Sequence, residues 1–208
     1  VIQGYADMLS RWGKDDEKVL DEGITAIQSE SAHMKKLIEQ LLFLARGDSG
    51  RNQLVMEDMD LSQMMREVYE ESRMIHPGRE WRLDADTPVT ISCDGAMIKQ
   101  TARILVDNAV KYTADGDKIT LRVRLKEGQP CFEVQDNGIG IKQEDLSRIF
   151  DRFFRSDPAR TRATGGTGLG LSIAKWIVER HGGYFDVFSR EGIGTRIGVV
   201  LPRKEADL

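Results

Sequence analysis

Long apolar runs are missing from this sequence. None approaches the ~20 residues that a membrane-crossing helix needs, and the longest greasy stretches, such as LLFLA at 41–45, suit a buried helix. Nothing resembles a signal peptide. Cysteine is nearly missing too. Cys93 and Cys131 are the only two, and they lack metal-site spacing, so the expectation is a pair of reduced core thiols in a cytoplasmic setting. There is no excess of positive charge. A formal net charge of −4 gives no general argument for nucleic acid or a membrane surface, and neither is expected as a partner of these residues. Two widespread phosphate signatures also fail. No G-x-x-x-x-G-K-[ST] occurs, and the glycines near 165–170 have the wrong spacing, after a polar loop, for the dinucleotide fingerprint. What remains is an ordinary globular composition, 40% apolar and 31% charged over 208 residues, enough for one or two domains.

Hydrophobic periodicity divides the chain. Ile2, Tyr5, Leu9 and Trp12 recur at helical spacing, and GKDD (13–16) interrupts them. A second helix carries Ile24, Ile27, Ser31, Met34, Ile38, Leu41 and Ala45 in alternating steps of three and four, a heptad seam with one polar member. A hairpin this small cannot bury both seams alone. A second copy of the chain would complete a dimeric four-helix bundle, and packing on the rest of the chain is the other solution. The resulting division is a helical hairpin at 1–46, a polar linker at 47–56 and a mixed domain at 57–208. In that domain LSQMMREVYEESRMI (61–75) reads as a helix with Asp60 as N-cap, and 95–113 as another. WRLDA, VTISC, DKITLRVRLKEG and QPCFEVQD read as strands. LGLSIAKWIVERHGG is a helix closed by Gly182, and the segment from Tyr184 to Pro202 is a strand, a glycine turn and a strand.

Three polar constellations stand out. On the helix around RILVDNAVKYT, Asn108, Lys111 and Tyr112 share a face opposite the apolar stripe Ile98, Ala102, Leu105 and Ala109. An amide oxygen suits Mg²⁺, and the lysine and tyrosine suit phosphate. DNGIG (136–140) follows a strand. Asp136 there could accept a hydrogen bond from a flat ligand while Gly138 and Gly140 let the backbone approach. FDRFFRSDPARTRATGGTGLG (150–170) sets a locally basic loop and four glycines before a helix N-terminus, a phosphate-binding arrangement. Each piece alone has a bland explanation, as a solvated helix face, a tight turn or a surface loop.

Their order is more specific. RILVDNAVKYT, DNGIG, FDRFF, GGTGLGLSIA and EGIGTRIGVVLP resemble, in sequence, the N, G1, F and G2 boxes and final hairpin of sensor histidine kinases. That family shares its ATP-binding domain with Hsp90, gyrase and MutL. SESAHMKKLIEQLLFLAR resembles the second helix of the kinase dimerisation domain more loosely.

The resemblance implies an α+β protein: a two-layer α/β sandwich, helices on one face of a mixed sheet, preceded by an antiparallel hairpin that forms a dimeric four-helix bundle. It implies ATP and Mg²⁺ as cofactors. Asn108 would hold the metal, Lys111 and Tyr112 the phosphates, and Arg152 the γ-phosphate, with Asn108, Lys111 and Arg152 the catalytic set. Asp136 would accept from the adenine amine, with Gly138 and Gly140 shaping its pocket. Gly166, Thr167, Gly168, Leu169 and Gly170 would present backbone to phosphate, and 155–167 would be a lid. The implied partners are a response-regulator receiver domain and a second copy of the chain, within a cytoplasmic core whose parent is membrane-anchored. The alternatives are an ATP-binding conformational switch and a non-catalytic dimeric signalling scaffold.

Two departures qualify the resemblance. Many members carry an asparagine four residues before Asn108, where this chain has Ile104. The family's acceptor histidine, usually in an H-E-x-R-x-P-L run, is absent and is expected before Val1. His33 is followed by MKK and expected to face outward, His76 precedes Pro77, and His181 sits at a helix end where a cation would favour the dipole.

Overall fold

The computed structural model describes residues 1–12, 16–48, 53–156 and 166–203. They fall into two compact units, Val1–Arg46 and Gly47–Leu208.

The first unit holds α1 (Ile2–Trp12) and most of α2 (Glu17–Asp48). Gly23 lets the helices approach, because a Cβ there would stand 2.6 Å from the Leu9 side chain. Position 33 follows the same row of α2. Gly23 is buried, and Ala26, Glu30, His33, Leu37 and Gln40 are half-buried. His33 therefore does not face outward as expected. Its place in a second three-four row beside the heptad seam keeps it from full exposure. The seam itself is bare: Ile24, Ser31, Met34, Ile38 and Leu41 are exposed, Ile38 by 53%.

In the second unit, a short antiparallel pair joins β1 (Glu57–Asp60) to β3 (Thr90–Cys93). A five-stranded sheet contains β2 (Glu80–Asp84), β4 (Lys118–Lys126), β5 (Gln129–Asp136), β6 (Tyr184–Arg190) and β7 (Gly194–Val200), in the order β2-β4-β5-β7-β6. Only β2 and β4 run parallel. Three helices pack against this sheet: α3 (Leu61–Ile75), α4 (Gly95–Lys111) and α5 (Gly170–Arg180), with α4 touching both neighbours. This is the expected sandwich of helices on one face of a mixed sheet.

Alternation along the strands builds the core. Ile119 and Leu121 of β4, Phe132 and Val134 of β5, and Ile197 and Val199 of β7 point to the helix layer and are buried. From α4 they meet Ile98, Ala102, Leu105 and Ala109, all buried as their spacing implies. On the opposite face, buried Glu133 is paired with Arg124 and Arg196, so its charge is compensated. The β4–β5 hairpin turns on Glu127 and Gly128, both with positive φ, the geometry of a two-residue primed turn.

Asp60 caps α3, accepting from Ser62 N at 2.8 Å and Gln63 N at 3.3 Å. Asp94 caps α4 through Met97 N at 3.1 Å. Both cysteines are free and buried, and burial pushes each thiol up to about 11, which makes them inert at neutral pH.

Candidate nucleotide site

The site begins where β5 ends. Inward positions of β5 alternate Phe132, Val134, Asp136, so the strand that builds the core delivers a carboxylate to the same face. Asp136 is half-buried, and burial pushes its proton affinity up to about 6. Backbone N–H groups of Gly138, at 2.9 Å, and Thr195 partly offset this, and the charge of Asp117 adds to it.

The DNGIG loop is clamped from two sides. Ile139 N donates to the Tyr112 carbonyl at 3.2 Å, and a Cβ on Gly138 would collide with that carbonyl. Across the loop lies the turn between β6 and β7. Gly192 N donates to Ile139 O at 2.8 Å and Ile141 N to Ser189 Oγ at 2.8 Å. Gly140 (φ +69°) backs directly onto the Arg190 carbonyl, and Gly194 (φ +136°) onto that of Asp136. The final hairpin thus braces the DNGIG loop that follows Asp136.

Asn108, Lys111 and Tyr112 lie at the C-terminal end of α4, all half-buried. The helix stops at Lys111 with Tyr112 as cap. The Lys111 ammonium sits 5.1 Å from the centre of the Tyr112 ring. Burial, and then the nearby charge of Arg155, lower the proton affinity of Lys111.

The F-box segment reaches the same region by backbone pairing. Phe153 N donates to Gly168 O at 2.9 Å, with Phe153 itself at φ +64°. Gly168 (φ +74°) leaves no room for a Cβ, which would lie 2.8 Å from Phe153 Cα. Leu169 is fully buried, its N–H donating to Thr167 Oγ1 at 3.3 Å. Gly166 and Gly170 are half-buried on either side. Helix α5 starts after Leu169 with no side-chain cap, whereas α3 and α4 are each capped by an aspartate. An acidic cap would repel a phosphate at this helix end. Ile104, at the place where relatives carry a second asparagine, packs 3.3 Å from the Cβ position of Gly170, joining α4 to the start of α5.

Of the arginines in the basic loop, the sequence points to Arg152, which is exposed in the structure. The charge of Arg155, three residues on, acts on Lys111, and the Arg155 Nε is buried without a hydrogen-bond partner among the described residues. Ser189 and Thr195 carry no signal in the sequence. The Ser189 hydroxyl binds Gly194 O at 3.0 Å and Thr195 Oγ1 at 2.9 Å, tying the hairpin turn together. Most of the expected lid, 157–165 with Arg160, Arg162 and Gly165, lies outside the described residues.

The histidines have other roles. His181 is buried; its Nε2 accepts from Asp94 N at 3.0 Å, and Nδ1 donates to Ile177 O at 2.7 Å. Its ring ties the end of α5 to the start of α4, a long-range role that its place at a helix end does not announce. The His76 carbonyl accepts from Trp81 Nε1 at 2.9 Å.

Residues 93–205 match the family described as histidine kinase-, DNA gyrase B-, and HSP90-like ATPase, and residues 1–50 match the His Kinase A (phospho-acceptor) domain. The chain is 40% identical over 198 residues to sensor histidine kinase YkoH of Bacillus subtilis, covering 95% of this chain and 43% of that protein. It is 35% identical over 202 residues to signal transduction histidine-protein kinase ArlS of Staphylococcus haemolyticus, covering 97% and 45%. It thus spans less than half the length of these relatives. Among solved structures, full-length ShkA in complex with AMPPNP superposes with a TM-score of 0.76 at 26% identity, covering 90% of this chain and 40% of ShkA. No helix among the described residues is long and apolar enough to cross a membrane. With the motif order, the sheet topology and these matches in agreement, the chain belongs to the histidine kinase-, DNA gyrase B- and HSP90-like ATPase family, and within it to the sensor histidine kinases of two-component systems.

Proposed function

We propose that this chain is the ATP-binding core of a sensor kinase that moves the γ-phosphate of Mg-ATP to a histidine, and from there to an aspartate of a response-regulator receiver domain. Asp136 accepts a hydrogen bond from the adenine amine, with Gly138 and Gly140 lining its pocket. Lys111, Tyr112, Arg155 and the backbone from Gly166 through Thr167, Gly168 and Leu169 to Gly170 take the phosphates. Arg152 is retained as an exposed, secondary γ-phosphate contact.

The observation that carries the proposal is the pair Lys111 and Arg155. The charge of Arg155 adds to burial in disfavouring a charged Lys111, Arg155 Nε is buried without a partner among the described residues, and the helix that follows this segment starts with no side-chain cap. A polyphosphate resolves all three features. Lys111→Ala and Arg155→Ala should each weaken binding of an ATP analogue about tenfold or more, while adenosine, which lacks phosphates, binds within about twofold of the unmodified chain. Equal loss for both ligands in isothermal titration would place these cations elsewhere.

The Asn108 amide fits a Mg²⁺ that is bound jointly with nucleotide. No group of three His, Cys, Asp or Glu side chains among the described residues could hold a metal alone, so phosphate oxygens and water would complete the set. When bound, the ion would neutralise charge developing on the phosphates. Lys111 and Arg155 would do the same from the protein side, and Asp136 would fix the base.

The nucleophile is an imidazole on another segment of the parent protein. Both ring nitrogens of His181 are engaged, and His33 and His76 lack an adjacent acid. Incubating this chain with γ-phosphate-labelled ATP should leave no acid-labile phosphohistidine. Label on any of the three histidines would contradict the proposal.

A second copy of the chain is the proposed occupant of the exposed α2 seam. A groove of about 500 Å³ lined by Ile2, Ser31, Met34, Lys35, Ile38 and Glu39 offers it an apolar floor.

A further inference from the structure

The turn that carries Lys111 and Tyr112 is fixed from outside the motifs. A helix C-terminus leaves carbonyls without intrahelical partners. In α4, Asn108 O receives Tyr112 N at 3.1 Å, and Ala109 O receives Thr113 Oγ1 at 2.8 Å. Val110 O accepts from Thr113 Oγ1 at 3.2 Å, and both Val110 O and Thr113 O are also bound by one side chain, Arg79. Its Nη2 donates to Val110 O at 3.3 Å and to Thr113 O at 3.0 Å. Its Nη1 reaches Asp115 at 2.6 Å. The Arg79 side chain is only 18% exposed, whereas Asp115 is 81% exposed, so the carbonyl bonds are the sheltered part of this cluster.

The loop that presents Arg79 is itself held. Gly116 N donates to Gly78 O at 2.8 Å, and Glu80 N to Asp117 O at 2.8 Å, so the approach to β2 and the segment after α4 are fastened together. A guanidinium is suited to the task, since one arm of its planar fork can serve two carbonyls while the other holds Asp115, and its charge lies at the negative end of the helix. On the far side of the same turn, Tyr112 O supports the DNGIG loop through Ile139 N.

We infer that Arg79 is a positioning residue for phosphate recognition: by clamping the carbonyls of Val110 and Thr113 it sets the last turn of α4, and with it Lys111 and Tyr112, at the correct distance from Asp136. The inference rests on the nucleotide site proposed above. Asp136 is anchored by the sheet and by Thr195 across it, contacts that do not involve the turn Arg79 holds. The position of Lys111 follows the last turn of its own helix. Loss of the clamp therefore falls on the phosphate half of the ligand.

The test uses the full 208-residue chain with Arg79→Ala, Arg79→Lys and Asp115→Ala. Affinities for Mg-AMPPNP and for adenosine are measured by titration, with amide exchange at 110–113 followed without ligand. Arg79→Ala should weaken Mg-AMPPNP about tenfold, leave adenosine within about threefold, and speed exchange at the helix end. Arg79→Lys, which keeps the charge but not the fork, should fall between. Asp115→Ala should change neither affinity by more than about twofold, as an exposed ion pair contributes little. Wild-type AMPPNP affinity in both Arg79 variants, or equal loss of AMPPNP and adenosine, would reduce Arg79 to a structural role and overturn the inference. A loss in Asp115→Ala matching that in Arg79→Ala would overturn the carbonyl clamp. Failure of the unmodified chain to bind AMPPNP, with normal protection at 110–113, would instead remove the nucleotide site and the inference with it.

Discussion

Replacing Asp136 with asparagine should make the nucleotide-free domain more stable at neutral pH while removing most of its affinity for adenine nucleotide. The strand alternation that buries Phe132 and Val134 puts Asp136 on the same inward face, so an ionised carboxylate is held where water is scarce. Burial raises its proton affinity to about 6, against which Gly138 and Thr195 supply only two backbone donors. A carboxyl whose folded value lies above its unfolded value of about 4 stabilises the fold fully below that value. The contribution is lost as pH rises through 6, and above pH 7 the cost is constant.

A rise from about 4 to about 6 sets a ceiling of about 3 kcal/mol on that cost. Asparagine recovers part of it, because a neutral amide accepts the two backbone N–H bonds more weakly than a carboxylate does. We expect a gain of about 1–2 kcal/mol at pH 7.5, seen as a rise in Tm of about 2–8 °C, shrinking to nothing near pH 4. Binding should move the other way. The charge-assisted bond to the adenine amine is lost, which should weaken an ATP analogue about 30-fold or more. The unmodified chain should also lose affinity as pH falls below 6, while the variant stays flat. A variant that is less stable at pH 7.5 and binds normally would contradict this account of the pocket.

The second large effect is expected at Gly194. Its φ of +136° is a conformation that L-residues rarely adopt, and its missing Cβ faces the Asp136 carbonyl and, at 2.8 Å, Asn137 Cα. Those atoms are backbone, so no side chain can swing aside. The Gly194 carbonyl is also held by Ser189 Oγ, which accepts in turn from Ile141 N. An alanine must push the hairpin turn away from DNGIG and open the Asp136 pocket. The expected cost is about 3 kcal/mol or more, a fall in Tm of about 6–12 °C, with nucleotide binding lost. Gly192 is the internal control: it also has positive φ, +77°, but open space around it. Gly192→Ala should cost only about 1–2 kcal/mol and leave binding intact. Equal losses at the two glycines, in thermal unfolding and titration, would mean that close packing against DNGIG is not what requires Gly194.

Apart from β1, whose acidic EDMD shows no apolar alternation, the strands and helices of the second unit are legible in the sequence because burial alternates with the right period. The α4 stripe Ile98, Ala102, Leu105 and Ala109 is an example, as is Asp60 acting as the cap its sequence position implies. Gly182, with φ +70°, ends the last helix region as expected.

Elsewhere local pattern runs out. FDRFFR contains two arginines, and spacing alone favours neither. Phe153 breaks the local periodicity by adopting a positive φ, and it is the charge of Arg155 that is felt at Lys111. His181 reads as a helix-end cation because its partner, Asp94 N, lies 87 residues away in sequence. His33 belongs to a second row of α2 that the seam from Ile24 to Ala45 overshadows. The role of Arg79 depends on a loop being brought to the end of α4, which no pattern along the chain records.

Titration of Mg-AMPPNP into the folded chain tests most directly whether Asp136 and the turn at Lys111 form one nucleotide site. Binding should be saturable at one site per chain, weakened by Asp136→Asn and by lowering the pH below 6. A folded chain that shows no saturable binding of Mg-AMPPNP at millimolar concentration would contradict it.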